Sequence, residues 1–225
     1  MWISRIVAVL ILILLFTQFG CEDNVVNNDF NYVELNLEGK VLNKYDNTVD
    51  TLFAIIHNYS TTPRTEYKLS SSLVKIDSTF EISLSTPPEE YLTNYYSSIS
   101  GEHIDNTNLH IEDESTKGCE AYLNVIERGD GVTSYYFLVN GNTQYCNTPV
   151  NPGDFCNTFY FFNESTSIQG YSIIEATSSL TYRMNYNLNI KAGWNIISTT
   201  FISRERGLLT FEVTAVENPN GNWFY

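Results

Sequence analysis

Short segments in which apolar and polar side chains alternate recur along most of this 225-residue chain. In the first of them, Val33, Leu35 and Leu37 alternate with polar residues. A period of two places the apolar side chains on one face of a β-strand, whereas an amphipathic helix needs a period of about 3.6. The same pattern, or a continuous apolar run, predicts further strands at 49–57, 79–84, 119–127, 133–139, 155–162, 169–176, 181–190, 194–202 and 207–217.

Turn-forming residues between these segments indicate the fold class. Gly129-Asp130-Gly131 and Asn140-Gly141-Asn142 lie between predicted strands, and both contain residues that tolerate the positive φ of hairpin turns. Regular strands joined by such turns predict an all-β fold of antiparallel β-sandwiches with at most one or two short helices. Glu89–Ser97 is the helix candidate, because a Thr-Pro-Pro-Glu start signal precedes it. A polyproline II stretch is the alternative there.

The distribution of charge predicts a domain boundary near residue 116. Residues 22–116 contain 17 acidic and 5 basic residues, whereas residues 117–225 contain 9 and 6. We therefore expect an N-terminal β-sandwich-like domain at 32–116 and a C-terminal antiparallel β domain at 117–225, with the acidic segment 101–117 as a linker. One continuous sandwich is the alternative, because all-β domains reach about 200–250 residues.

The N-terminus carries a targeting signal. Arg5 precedes the uninterrupted apolar run Ile6–Phe16, which is too short to cross a bilayer core as a helix but has the length of a signal-peptide core. Gly20-Cys21 follows this run. The arrangement resembles the lipobox of bacterial lipoproteins, which implies that residues 1–20 are a cleaved signal peptide. It also implies that Cys21 is lipidated with diacylglycerol and palmitate.

The lipobox resemblance implies a location for the mature chain. Cys21 would anchor it to the membrane, and residues 21–31 would form a polar tether. Glu22-Asp23 resembles the acidic stretch with which some Gram-negative lipoproteins are exported to the outer face. We therefore expect an outer-membrane lipoprotein of the cell envelope, periplasmic or surface-exposed. An uncleaved anchor helix through Phe19, and ordinary cleavage that leaves Cys21 as a thiol, are the alternatives.

A second resemblance concerns the N-terminal half of the chain. Gly39-Lys40-Val41 and the later segment Asp77–Leu84 are similar to the opening and closing strands of transthyretin-like domains in bacterial surface proteins. The resemblance implies a small β-sandwich for this half.

Three further cysteines, Cys119, Cys146 and Cys156, follow the lipidation site, in a compartment expected to be oxidising. A loop with two prolines and a glycine separates Cys146 from Cys156, so we expect these two to form a disulfide worth about 2.5–3 kcal/mol. Cys119 would then be a buried single thiol. Pairing of Cys119 with either of the others, or three buried thiols, are the alternatives.

The densest group of metal-ligand types lies between residues 103 and 114. His103 and Asp105 would share one face of an extended strand, as would His110, Glu112 and Glu114. These five are candidates for a calcium site, but they lack the Asp-x-Asp-x-Asp-Gly spacing. We therefore expect a solvated acidic linker and no metal.

Charge and motifs narrow the class of function. A net charge of −14 opposes binding to nucleic acid, which is a polyanion. The sequence has no GxSxG, HExxH, P-loop or GxGxxG motif, and we expect no cofactor and no catalytic activity. We expect a non-enzymatic binding or scaffolding module whose partner is an envelope protein or an extracellular glycan. A carbohydrate-binding surface module with exposed Tyr and Trp is the alternative, and a small hydrolase is the least favoured.

Overall fold

A computed structural model describes residues 32–42, 49–58, 63–99, 103–129, 132–142, 151–177, 179–219 and 221–225. Strands account for most of these residues, and the all-β class is therefore confirmed. The strands are β1 (Leu35–Leu42), β2 (Val49–Asn58), β3 (Thr65–Leu73), β4 (Thr79–Leu84), β5 (Thr93–Asn94), β6 (Ile104–Ile111), β7 (Lys117–Gly129), β8 (Val132–Gly141), β9 (Phe155–Phe162), β10 (Thr166–Thr177), β11 (Leu180–Ile190), β12 (Gly193–Glu205), β13 (Leu208–Val216) and β14 (Asn222–Phe224).

Helical structure within the described ranges is limited to two single turns. A 3₁₀ turn spans Glu89–Tyr91, and one α-helical turn, α1, spans Tyr95–Ser98. The continuous helix considered for Glu89–Ser97 is therefore wrong, because Leu92 is extended and β5 pairs with β7. Within the same ranges, neither turn approaches the length that a membrane-spanning helix needs.

Hydrogen bonds join the strands in the order β4-β1-β14-β8-β7-β9-β12-β13-β11-β10-β6, with β2 and β5 paired to β7 and β3 paired to β2. Most pairings are antiparallel, as the sequence predicts. Two pairings, β1 with β14 and β11 with β13, are parallel. Both join strands that are not neighbours in the sequence, so no hairpin signal can predict them.

The predicted boundary near residue 116 does not separate two compact units. The pairings of β2 with β7 and of β1 with β14 cross it, and residues 32–225 form one compact unit. The predicted linker 101–117 is also wrong in part, because β6 lies within it and pairs with β10. Pairing with β10 satisfies the hydrogen-bonding groups of the β6 backbone at the edge of the sheet. Because this segment is polar, its side chains give no sign that it forms a strand.

The sheet carries an apolar core on each face at β9. Phe161 belongs to one buried cluster, with residues of β1, β2, β4 and β7, whereas Phe162 belongs to the other, with residues of β10, β11 and β12. Adjacent residues of a strand point to opposite faces. The uninterrupted aromatic run of β9 is therefore explained by burial on both faces.

The structure contains one of the two predicted turns. Gly129 pairs with Val132, which confirms a hairpin between β7 and β8. Asn140 and Gly141 instead lie within β8 and pair with β9, so the turn predicted there is wrong. Asn140 is fully buried and accepts a hydrogen bond of 2.6 Å from Asn157 Nδ2. Burial with a partner overrides its preference for a turn.

The two segments that resemble transthyretin-like strands lie side by side. Strand β1 pairs with β4 in antiparallel register, and Gly39 faces Phe80. The family resemblance itself remains a prediction.

Candidate functional site

A cavity of about 530 Å³ lies beside β7 at the point where this strand changes partners. One edge of β7 pairs with β5 at Lys117 and Gly118, and with β2 from Ala121 onward. Cys119 and Glu120 occupy the interval between these two partners. Side chains from β2, β5, α1, β7 and β9 line the cavity.

Glu120 is the acidic group of this cavity. Tyr122 lies two residues along β7 and therefore on the same face, and Tyr160 lies opposite Glu120 in the pairing of β7 with β9. Both phenol hydroxyls donate to one carboxylate oxygen, Oε2, at 2.8 Å from Tyr122 and 3.0 Å from Tyr160. The register of three adjacent positions thus builds a Tyr-Glu-Tyr cluster.

The surroundings disfavour a negative charge on Glu120. Burial raises the pKa of this carboxyl, and the hydrogen bonds from Tyr122 and Tyr160 oppose that shift. Within the described residues, no Lys or Arg lines the cavity. The carboxylate is therefore half-buried, and its described partners are two phenols and not a cation.

Aromatic rings form much of the wall around Glu120. Tyr95 is buried and packs edge-on against Tyr160, with ring centroids 5.7 Å apart. Burial raises the pKa of Tyr95 and of Tyr160, so both phenols stay protonated at neutral pH. On the β2 side, the ring of His57 lies 5.1 Å from that of Tyr122.

His57 and Cys119 complete the titratable lining. Burial lowers the pKa of His57, helped by Arg64 and opposed by Glu66, so the imidazole is neutral at pH 7. Burial raises the pKa of Cys119 to about 12, so its thiol is a poor nucleophile. Cys119 is buried and not disulfide-bonded, which confirms the prediction of a buried single thiol.

The predicted disulfide pair, Cys146 and Cys156, is only partly described. The sulfur of Cys156 is disulfide-bonded. Cys146 lies outside the described residues, so its pairing with Cys156 stays a prediction. Cys21, the predicted lipidation site, also lies outside them.

The five metal candidates do not come together. Across the described ranges, no group of three or more His, Cys, Asp or Glu side chains is placed to hold a metal ion. Asp105 instead accepts hydrogen bonds from the backbone N–H and hydroxyl of Thr107. Glu112 accepts one from the hydroxyl of Ser167 at 3.0 Å. The sequence predicts shared strand faces for His103, Asp105, His110, Glu112 and Glu114. That prediction is wrong for three of them, because β6 spans only Ile104–Ile111 and leaves His103, Glu112 and Glu114 outside the strand.

The large aromatic side chains that are exposed among the described residues are Tyr67, Tyr136 and Phe137, at 40%, 41% and 64%. Trp223 is 3% exposed, and the indole N–H of Trp194 donates to the Ser85 carbonyl. Trp194 and Trp223 therefore take part in packing and hydrogen bonding inside the fold.

Sequence reasoning did not single out Glu120, Tyr122 or Tyr160. In 118–124, polar residues alternate with Cys119, Ala121 and Leu123, which indicates an outward polar face. That face is covered at Glu120 because β5 and α1 pack beside it, and no local sequence pattern indicates this cover.

Comparison with family models, with curated proteins and with solved structures finds no match to this chain.

Proposed function

We propose that this chain is a membrane-anchored binding module of the cell envelope, and that its ligand occupies the cavity beside Glu120. One observation carries the proposal: a half-buried carboxylate and three tyrosines converge on a cavity of about 530 Å³. Ligand sites are typically concave, largely apolar and within about 300–1,000 Å³, with a few convergent polar groups.

Folding stability alone does not account for this arrangement. A carboxylate taken partly out of water destabilises the fold unless partners compensate it. Two neutral phenols compensate Glu120 only in part, since burial still raises its pKa. Groups held in an unfavourable state inside a cavity are typical of functional sites.

The anchoring part of the proposal rests on the short apolar run that ends at Gly20-Cys21. Metabolic labelling with a palmitate analogue in a Gram-negative host tests it. The wild-type chain should carry the label and Cys21→Ser should not. Equal labelling of both chains, or of neither, would contradict the anchor.

A ligand panel tests the binding part. The full chain in mild detergent is heated in the presence of neutral saccharides, organic amines, organic acids or cell-wall peptides. A ligand of the cavity should raise the melting temperature. Ile99→Trp, which places a larger side chain in the lining of the cavity, should abolish that rise in melting temperature. Ile202→Trp, at an exposed position of β12, should leave it unchanged. Stabilisation that survives in Ile99→Trp, or no stabilisation by any class, would refute the cavity as the site.

The same panel distinguishes binding from catalysis. A carboxyl whose pKa is raised by burial also suits a general acid, so chromogenic glycosides are included. A binding module leaves them intact. Hydrolysis that disappears in Glu120→Gln would overturn the non-enzymatic proposal in favour of the hydrolase.

A further inference from the structure

Among the described residues that line the cavity, no Lys or Arg serves as a counterion for the charge of Glu120. Both described hydrogen bonds reach Oε2, and across the described chain none reaches Oε1. Replacing water around a carboxylate with two phenols recovers only part of its hydration. A positively charged group of a ligand beside Oε1 would supply the missing counterion.

The rings beside Glu120 suit a cation as well. The hydroxyl bonds to Oε2 fix Tyr122 and Tyr160 with their aromatic bodies next to the carboxylate. Aromatic faces carry a negative quadrupole and attract ammonium groups within about 6 Å. The lining of the cavity therefore combines a carboxylate with aromatic side chains, and both kinds of group attract a cation.

Two larger-scale properties favour the same class of ligand. The chain has a net charge of −14, which raises the local concentration of cations. The cavity, at about 530 Å³, has room for an organic ion with its substituents. A bare metal ion lacks support, since no described cluster of three ligating side chains exists.

We propose that the cavity binds a small organic ammonium ion, with the cationic nitrogen beside Glu120 and its alkyl groups against the rings of Tyr122 and Tyr160. The inference rests on the proposed function and names its ligand class. Neutral saccharides and organic acids are the competing classes, and they become outcomes of the test.

The test uses choline and its neutral isostere 3,3-dimethylbutan-1-ol, which differ in charge but hardly in shape. Binding to the full chain in mild detergent is measured by calorimetric titration. Choline should bind at least about 10-fold more tightly than the isostere, because only the cation gains the carboxylate and ring interactions. Equal affinities would overturn the proposal.

Two substitutions assign the selectivity to this site. Glu120→Gln keeps the size and an acceptor for the tyrosines, and it should weaken choline at least about 10-fold while leaving the isostere unchanged. Glu112→Gln removes an exposed charge elsewhere and should change neither. At Tyr122, the Phe variant keeps the ring and should retain most of the affinity, whereas the Leu variant should lose about 3- to 30-fold. Melting temperatures establish that each variant is folded.

The possible outcomes separate the inference from the proposed function. If a saccharide or organic acid binds, Ile99→Trp abolishes that binding and choline does not bind, the cation inference fails and the binding module stands. If no ligand class binds in the cavity, both fail. If choline binds equally well to wild type and Glu120→Gln, the assignment of the carboxylate is wrong.

Discussion

The side chain of Trp223 connects the short strand β14 to the core and packs against Gly39 of β1. Substitutions at these two positions should therefore have non-additive effects on folding stability. Trp223 is 3% exposed, stacks on Phe159 at 5.9 Å and meets Phe80 edge-on at 5.1 Å. A Cβ atom added at Gly39 would lie 2.2 Å from its Nε1. Because aromatic neighbours hold the indole, it cannot move aside without losing contacts.

The expected magnitudes follow from these contacts. Gly39→Ala should destabilise by about 1–3 kcal/mol through overpacking, which lowers the melting temperature by about 2–12 °C for a domain of this size. Truncation of a buried Trp to Ala costs about 3–5 kcal/mol of folding free energy, and Trp223→Leu should cost less. In the Trp223→Leu background, Gly39→Ala should be nearly neutral, because the atoms it meets are gone.

Urea unfolding of the full chain, followed by far-UV circular dichroism, measures this double-mutant cycle. The double variant should be more stable than the sum of the single effects predicts, by about 1–3 kcal/mol. Effects that add to within about 0.5 kcal/mol would refute the packing of Trp223 over Gly39.

Three further predictions use the same unfolding measurement or a simple reaction. Gly170 has a φ of +106°, and a Cβ atom added there would lie 2.0 Å from the carbonyl oxygen of Asn108, whereas Gly153 has a φ of +94° and open space around it. Gly170→Ala should therefore destabilise the fold more than Gly153→Ala, which should cost about 1–2 kcal/mol. Equal costs would contradict the close approach at Gly170. Burial raises the folded-state pKa of Glu120, so the stability of the wild type should fall as the pH rises from about 4 through that pKa. Glu120→Gln should lack this loss and gain relative stability toward neutral pH, and a difference independent of pH would refute it. Burial raises the pKa of Cys119 to about 12, so the Cys119 thiol should react with a disulfide reagent at pH 8 only after unfolding; labelling of Cys119 in the folded chain would count against its burial.

Much of the strand content could be predicted because it depends on local alternation. Segments such as 79–84 and 155–162 coincide with β4 and β9, since each buries at least one continuous face. Strands β3 and β6 were missed. Both are polar segments at sheet edges, where backbone pairing and not side-chain burial forms the strand.

The candidate site could not be predicted, because its key contacts are not local. Glu120 and Tyr160 are 40 residues apart and meet only through the pairing of β7 with β9. Glu120 has the ordinary sequence pattern of a solvated strand residue. Its cover comes from β5 and α1, in the region where the sequence suggested a longer helix.

A crystal structure of the full chain with arsenocholine, whose arsenic scatters X-rays anomalously, tests the central claim most directly. The account predicts an anomalous peak inside the cavity, beside the Glu120 carboxylate and the rings of Tyr122 and Tyr160. An anomalous peak elsewhere on the molecule, or none at a concentration that saturates choline binding in solution, would contradict it.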